Sequence, residues 1–487
     1  MKKRLLKRTL SMLLCLMMLV SMMAGMASAK NNEFTWMVSD RGSATLFKLV
    51  QKLPVVGTMM FVGAHPDDEN NGFMTYGNKG LHLNTSYLVM NWGEGGLNQI
   101  GPELYGALGV LRSQELASAR VLDGGRQLHM ETMTDGQYDS YDFGYSISLA
   151  ETLGVNRSGE PLDGIEGIWP YETMLAELVR HIRTERPDVI FTNHSRLATD
   201  HGQHQATGTL VWMAVQKAGD PDYKLEGEAA ALLPWTPAIA YTRNNAECSL
   251  PGAVVKTVDV GVYDPVLGMS YAQIGALSRA FHKCQGMNSI PNMEPSNTNW
   301  TPMWKDDGVV VHANSDVLEG VDVSLSRIYD LIDDAGAKAA VKAKIDALSA
   351  LIASITANTR ASYLPDELQA KIEDDVIEGL ALVREAIAAA DAIPDEVQRD
   401  YALGMLRDKE TDFIDLANLL FGVELAVTTS ESDRNVTPGQ TQSGAKDLTV
   451  TPTIYNRGVT DIDSVALEIE VADGTIHGTA QKTFLTS

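Results

Sequence analysis

Basic residues are scarce in this chain: 39 Lys and Arg stand against 63 Asp and Glu over 487 residues. Five of the 39 (Lys2, Lys3, Arg4, Lys7 and Arg8) crowd the first eight positions, so the rest carries 34 against 63 acids, a net charge near −29. Phosphate binding needs clustered Lys and Arg, which makes nucleic acid and anionic lipid surfaces poor candidate partners. Cysteine is scarcer, with three in all. Cys15 falls in the leader described next, and Cys248 and Cys284 cannot make a disulfide scaffold, although pairing and two buried thiols both stay open. Long apolar runs are also few. The one that stands out, Leu10 to Met26, is short of the roughly 20 residues a membrane span needs. No repeat or low-complexity tract stands out.

That run follows the basic cluster and ends at Ala27-Ser28-Ala29, the pattern of a secretory signal peptide over residues 1–29. The expectation is a protein that is secreted or held at the cell surface, with no integral span after cleavage. Cleavage leaves 458 residues, and at about 150 per domain that is roughly three domains.

The organising stretch is Met59 to Glu69. An apolar run to Val62 predicts a buried strand, and the chain then breaks at Gly63 into Ala64-His65-Pro66-Asp67-Asp68-Glu69. In open α/β sheets ligands bind beyond the carboxyl ends of the strands, so this loop lies where a site is expected. The predicted strands are Thr58 to Val62, Ser86 to Asn91, Leu128 to Met133, Asp188 to Thr192 and Ala238 to Tyr241. Helices are predicted at Pro102 to Val121, with Leu104, Leu108, Leu111, Leu116 and Ala119 on one face, and at Tyr171 to Thr184. The alternation implies an α/β, Rossmann-like, mainly parallel sheet over residues 30–310.

From 311 to 425 the composition turns to Ala, Leu, Ile, Asp, Glu and Lys. Val341, Ile345, Leu348, Ile352 and Ile355 recur at steps of four and three, as do Leu380, Val383 and Ile387, which predicts two to four helices in a hairpin or bundle. Pro365 and Pro394, each followed by two acids, mark helix starts. A polar linker, 426–446, leads to alternating residues in 447–487 that look like the opening of a β-sandwich. Forty residues is well below the ~100 of such a module, so the expectation is an incomplete module or a fragment of a longer protein.

A second cluster, Asp200-His201-Gly202-Gln203-His204, repeats the ligand types of the first. His65 and Asp68 from one loop and His204 from the other make a three-ligand set for a catalytic zinc, with iron or another divalent ion also compatible. Asp67 is left to take a proton from water and later deliver it to a leaving amine, and His201 to donate to an oxyanion. His82, His129, His181, His312 and His477 lack such company and default to structure.

These residues resemble the LmbE/PIG-L family of zinc-dependent N-acetylglucosamine de-N-acetylases, whose signature Ala-His-Pro-Asp-Asp-Glu stands complete at Ala64 to Glu69. The family's His-x-x-His element is matched by His201 to His204, its glycine-rich turn by Gly93-Glu94-Gly95-Gly96 and its Arg-x-x-Glu helix by Arg112 and Glu115. Its Asp-Gly is matched by Asp135-Gly136 and its late His-x-x-Gln by His282 to Gln285. The resemblance covers about residues 55 to 300. It implies His65, Asp68 and His204 as zinc ligands, Asp67 as general base then acid, and His201 as oxyanion stabiliser. Arg112 and Asp135 become sugar-binding residues or else a structural ion pair and a turn residue, with His282 placed at the substrate beside them. The chain departs from the family at Gly202-Gln203, where many relatives have Pro-Asp; neutral Gln203 cannot supply the charge that orients the first histidine, although Asp200 could.

The implied reaction removes the acetyl group from a GlcNAc-type amino sugar in an extracellular glycan. A zinc amidase or esterase on a non-sugar substrate, or a carbohydrate-binding surface module without turnover, are the alternatives.

Overall fold

The computed structural model describes residues 42–131, 148–243, 250, 253–287, 295–313, 316–360, 365–429 and 450–458. Residues 1–29, expected to be a signal peptide, together with Asp135, Cys248, His477 and the strand predicted around Val465 to Val471, lie outside the described residues. In chain order the elements begin with α1 (Ser43–Lys52), β1 (Thr58–Gly63), α2 (Asn71–Thr75), β2 (Asn84–Val89), α3 (Gly106–Asp123) and β3 (Arg126–His129). Next come α4 (Leu149–Leu153), α5 (Tyr171–Glu185), β4 (Val189–Thr192), α6 (Gly202–Ala218), β5 (Ile239–Thr242) and β6 (Lys256–Asp259). A short hairpin, β7 (Tyr263–Asp264) and β8 (Met269–Ser270), leads to α7 (Tyr271–Arg279), β9 (Asn297–Lys305) and α8 (Arg327–Asp330). The C-terminal part holds α9 (Ala335–Arg360), α10 (Pro365–Ala390), α11 (Glu396–Phe421), β10 (Val423–Thr429) and β11 (Val450–Asn456).

Seven strands form one sheet in the order β3-β2-β1-β4-β5-β9-β6. The five strands predicted from the sequence are the parallel ones, and β9 and β6 add an antiparallel edge. That edge had no legible signal, because β9 reads Asn-Thr-Asn-Trp-Thr-Pro and carries Pro302 where its register with β5 shifts. In β1, Met59 to Val62 are at most 1 % exposed, as a strand covered on both faces requires. The chain runs from β1 outward to β2 and β3, then returns to β4 on the other side of β1. The strand order therefore reverses between β1 and β4, which opens a crevice beyond their carboxyl ends.

Helices α9, α10 and α11 bury the predicted stripe: Val341, Ile345, Leu348, Ile352, Ile355, Leu380 and Val383 are all nearly inaccessible, in one core with Leu406 and Phe413. Helix α1, grouped with the sheet by its place in the sequence, instead puts Leu46 and Val50 into this same core, along with Leu53 just past its end. The bundle meets the sheet at the amino ends of the strands. Asn84, the first residue of β2, donates to Asp408, and Arg327 pairs with Asp188 just before β4. The helical part thus sits across the sheet from the crevice. Strands β10 and β11 form a two-stranded antiparallel sheet with Asn456 paired to Val423; the sandwich expected here is represented only by this hairpin among the described residues. No described helix is long and apolar enough to cross a membrane.

Candidate active site

Gly63, the last residue of β1, has no room for a side chain: a Cβ would stand 2.0 Å from the hydroxyl of Tyr87. That hydroxyl donates to the carbonyl of His65 at 2.7 Å and fixes the start of the loop. Gly63→Ala is expected to break this bond and overpack the strand end, lowering unfolding free energy by about 1–3 kcal/mol in urea denaturation. The loop then closes on its own carboxylate, since Asp68 Oδ2 accepts from the backbone N–H of His65 at 2.7 Å and Asp68 N–H returns to the His65 carbonyl at 3.2 Å. Asn193, one residue past β4, donates to the Asp68 carbonyl and ties the two strand ends together.

Both predicted clusters meet in the crevice. His65 Nδ1 lies 3.0 Å from Asp68 Oδ2, and His204 Nε2 lies 3.4 Å from Asp68 Oδ1. The rings of His65 and His204 are 5.3 Å apart, and the ring of His201 is 3.7 Å from His204 and 5.1 Å from His65. His201 caps the amino end of α6 and His204 lies on its first turn, which brings both side chains to the mouth of the crevice.

One ligand type escaped the sequence reading. His194 is 5 % exposed, with Nε2 at 3.3 Å from Asp68 Oδ2 and its ring 4.2 Å from that of His204. It follows β4 by two residues as His65 follows β1 by two, and that matched spacing from two strand ends was the available signal. Two overlapping groups, His65/His201/His204 and Asp68/His194/His204, have ligand atoms within 4.8 Å of one another.

The donor set fits a cation. Gln203, 1 % exposed, places Oε1 2.6 Å from His65 Nε2 and 3.3 Å from Asn91 Nδ2. With the Nε2 hydrogen given to Gln203, His65 Nδ1 carries the ring's lone pair and faces a carboxylate oxygen. Two acceptors in that position are reconciled by a bridging positive charge. His204 Nε2 is buried without a hydrogen-bond partner, again opposite a carboxylate oxygen. Burial would depress the His204 imidazolium, yet Asp200 and Asp68 outweigh it and push the group up to about 10. Burial would likewise raise Asp68, but His194, His65 and His204 hold it well below the usual carboxylate range. His201 moves the other way: burial, then the neighbouring His204 and His65, lower it to about 4, so it is a neutral imidazole at pH 7.

Asp67 is held by other partners. Its φ of 112° is a left-handed backbone that few residues adopt. The surroundings impose it: the Asp67 N–H donates to Glu69 Oε2 at 3.1 Å, its carbonyl accepts from Arg279 at 3.4 Å, and its Oδ1 accepts from Arg112 Nη2 at 2.7 Å. Burial raises the carboxyl above its ordinary value, and Arg112 opposes that rise. Arg112 forms an ion pair with Asp67. The guanidinium is 3 % exposed and also donates to the carbonyls of Pro66 and Gly93. The glycine-rich turn exists for this side chain, because a Cβ on Gly93, whose φ is +71°, would stand 2.5 Å from Arg112 Nη1.

His282 requires a correction. It was expected at the substrate, but it has no exposed surface and its Nε2 lies 2.8 Å from Glu69 Oε1. Glu69 also accepts from Arg120 at 2.9 Å and Asn71 at 3.0 Å, so this group forms a buried layer under the loop. Cys284 belongs to the same layer, its thiol donating to Glu115 at 2.8 Å, and burial pushes it up to about 12, as for an inert thiol.

Comparison with known proteins adds the following. No curated protein matches the chain. Among solved structures, N,N'-diacetylchitobiose deacetylase from Pyrococcus horikoshii is 14% identical over 48% of this chain and 72% of its own, with a TM-score of 0.31. Teicoplanin deacetylase Orf2 in its zinc-inhibited form is 12% identical over 51% and 99%, with a TM-score of 0.30. The 4-carboxy-2-hydroxymuconate hydratase GalB from Pseudomonas putida is 11% identical over 51% and 97%, with a TM-score of 0.32. The family model described as PIG-L, GlcNAc-PI de-N-acetylase, matches residues 60–215, from within β1 to near the end of α6, and so takes in both clusters of the crevice. Over residues 60–215 this chain is therefore similar to the PIG-L family described as GlcNAc-PI de-N-acetylase.

Proposed function

We propose that the protein is an exported, zinc-dependent hydrolase that removes the N-acetyl group from a GlcNAc-type amino sugar in an extracellular glycan, giving free amine and acetate. The observation that carries this reading is the pairing of a cation-ready set, His65, Asp68 and His204, with a separate carboxylate, Asp67, held beside it by Arg112. A divalent ion held by those three residues supplies Lewis acidity for the acetamide carbonyl and acidifies water. Asp67 accepts the proton as the water oxygen bonds to the carbonyl carbon and the carbonyl electron pair moves to oxygen. The neutral ring of His201 donates an N–H to that oxyanion. Asp67 then delivers its proton to the nitrogen as the C–N bond breaks. Arg112 keeps Asp67 aimed without blocking its second oxygen.

The test is acetate release across N-acetylated glycans and non-sugar acetamides, with metal content measured on the same sample. Acetate and free amine from the glycans are expected. Turnover of non-sugar acetamides alone would move the substrate class. Full metal occupancy with no acetate from any substrate would leave a binding module. Gln203 bears on the metal alone: Gln203→Ala removes the acceptor that sets the His65 tautomer, and metal affinity is expected to fall about 10–100-fold by competition with a chelator.

A further inference from the structure

The residues between Gly93 and Leu111 include no Lys, Arg or His, and their only charges are Glu94 and Glu103. Leu104, predicted on the buried face of a helix, instead precedes α3 and is 47% exposed; Leu97 is 75%, Ile100 64%, Tyr105 60% and Val110 60% exposed. Scattered exposed apolar residues are ordinary, but here five fall within fourteen residues, a density that points to an interaction surface. The loop is also pinned. Gln99 N–H donates to the carbonyl of Cys284 at 2.8 Å, Gln285 donates to the carbonyl of Leu97 at 2.7 Å, and Asn98 Oδ1 accepts from the N–H groups of Ile100 and Gly101 at 3.0 Å. Tyr105 is held at φ 55° and ψ −134°, a strained backbone for an aromatic residue, and is 60% exposed.

The patch begins at the site. A Cβ on Gly96 would stand 2.8 Å from Arg112 Nη1, and the other nitrogen of that guanidinium is 2.7 Å from Asp67. Leu97 is the next residue. We infer that Leu97, Ile100, Leu104 and Tyr105 seat an uncharged apolar group carried on the substrate's sugar, an alkyl or aryl aglycone, beside the acetamide presented to Asp67. The inference rests on the proposed deacetylase reading. An anionic substituent such as a phosphodiester finds no cation within residues 93–111, whose only charged groups are two carboxylates.

The experiment compares methyl and hexyl 2-acetamido-2-deoxyglucosides, measuring both kcat/KM for acetate release and equilibrium binding, in the parent and in Leu97→Ser/Ile100→Ser/Leu104→Ser. The parent is expected to favour the hexyl glycoside by about tenfold, the low end of the discrimination one or two buried methylenes give, in KM rather than kcat. In the variant the ratio should fall toward one at an unchanged unfolding midpoint. A ratio near one in the parent, or one kept in the variant, overturns the inference and leaves the deacetylase reading standing. Tighter hexyl binding that the variant loses, with no acetate from either compound, fails the deacetylase reading and keeps the apolar seat. A parent dimer that the triple variant dissociates, with no glycoside preference, assigns the patch to a second copy and overturns the inference.

Discussion

Asp67→Asn is expected to lower kcat by about 10²–10⁴-fold, the usual worth of a positioned proton carrier, with metal content unchanged. Asparagine is the discriminating replacement because nearly everything structural about the position survives it. Its Oδ1 can still accept from Arg112, its backbone still reaches Glu69 and Arg279, and Asn is among the few residues that tolerate positive φ. Only the ability to take up and return a proton is lost. The cation-ready set His65, Asp68 and His204 does not include this residue, so metal binding and catalysis should separate. Because proton transfer belongs to the transition state, kcat and kcat/KM should fall together while substrate affinity holds. A variant keeping more than about a tenth of the parent kcat would remove Asp67 from the chemistry. Loss of metal with activity would mean that it holds the ion.

The comparison of sequence and structure divides along sequence separation. The β1 strand and its loop were legible because an apolar run ending in glycine and a dense set of ligands are local signals, and the α9 stripe was legible because a helix face repeats within a few residues. What was hidden depends on partners far along the chain. Glutamine at 203 is a departure from the family pattern in the sequence. In space it holds His65, 138 residues away, at 2.6 Å. His282 looked like a substrate residue until the fold put Glu69, 213 residues away, against it. That Arg112 grips Asp67, 45 residues away, could not be read from the sequence. Nothing in the composition of Ser43–Lys52 says that its apolar side turns to the helical bundle and not to the sheet that follows it in the chain.

The joint between α1 and the bundle leads to the second large effect: Asp412→Ala is expected to lower unfolding free energy by about 3–5 kcal/mol. Lys409 has no exposed surface, and its ammonium donates to Asp412 and to the carbonyl of Lys52 at the end of α1. Asp412, 3 % exposed, also pairs with Lys52 at 2.8 Å. Removing the carboxylate leaves the buried Lys409 cation with only the Lys52 carbonyl as its partner and removes the Lys52–Asp412 pair between α1 and α11, so the cost is that of an uncompensated charge and exceeds that of a surface pair. The pH dependence has a definite sign. Burial would raise Asp412, but Lys409 and Lys52 outweigh it and hold the carboxyl below its ordinary value. A carboxyl lowered on folding stabilises fully above the unfolded value of about 3.9 and loses that stabilisation as pH falls through the folded one. The gap between parent and variant in urea denaturation should therefore be constant near neutrality and close below about pH 4. A gap that persisted undiminished in acid would mean that Asp412 acts through packing alone. Because the bundle meets the strands at their amino ends, the same variant should leave the metal content of the folded protein unchanged, and metal loss before unfolding would show that the joint supports the crevice directly.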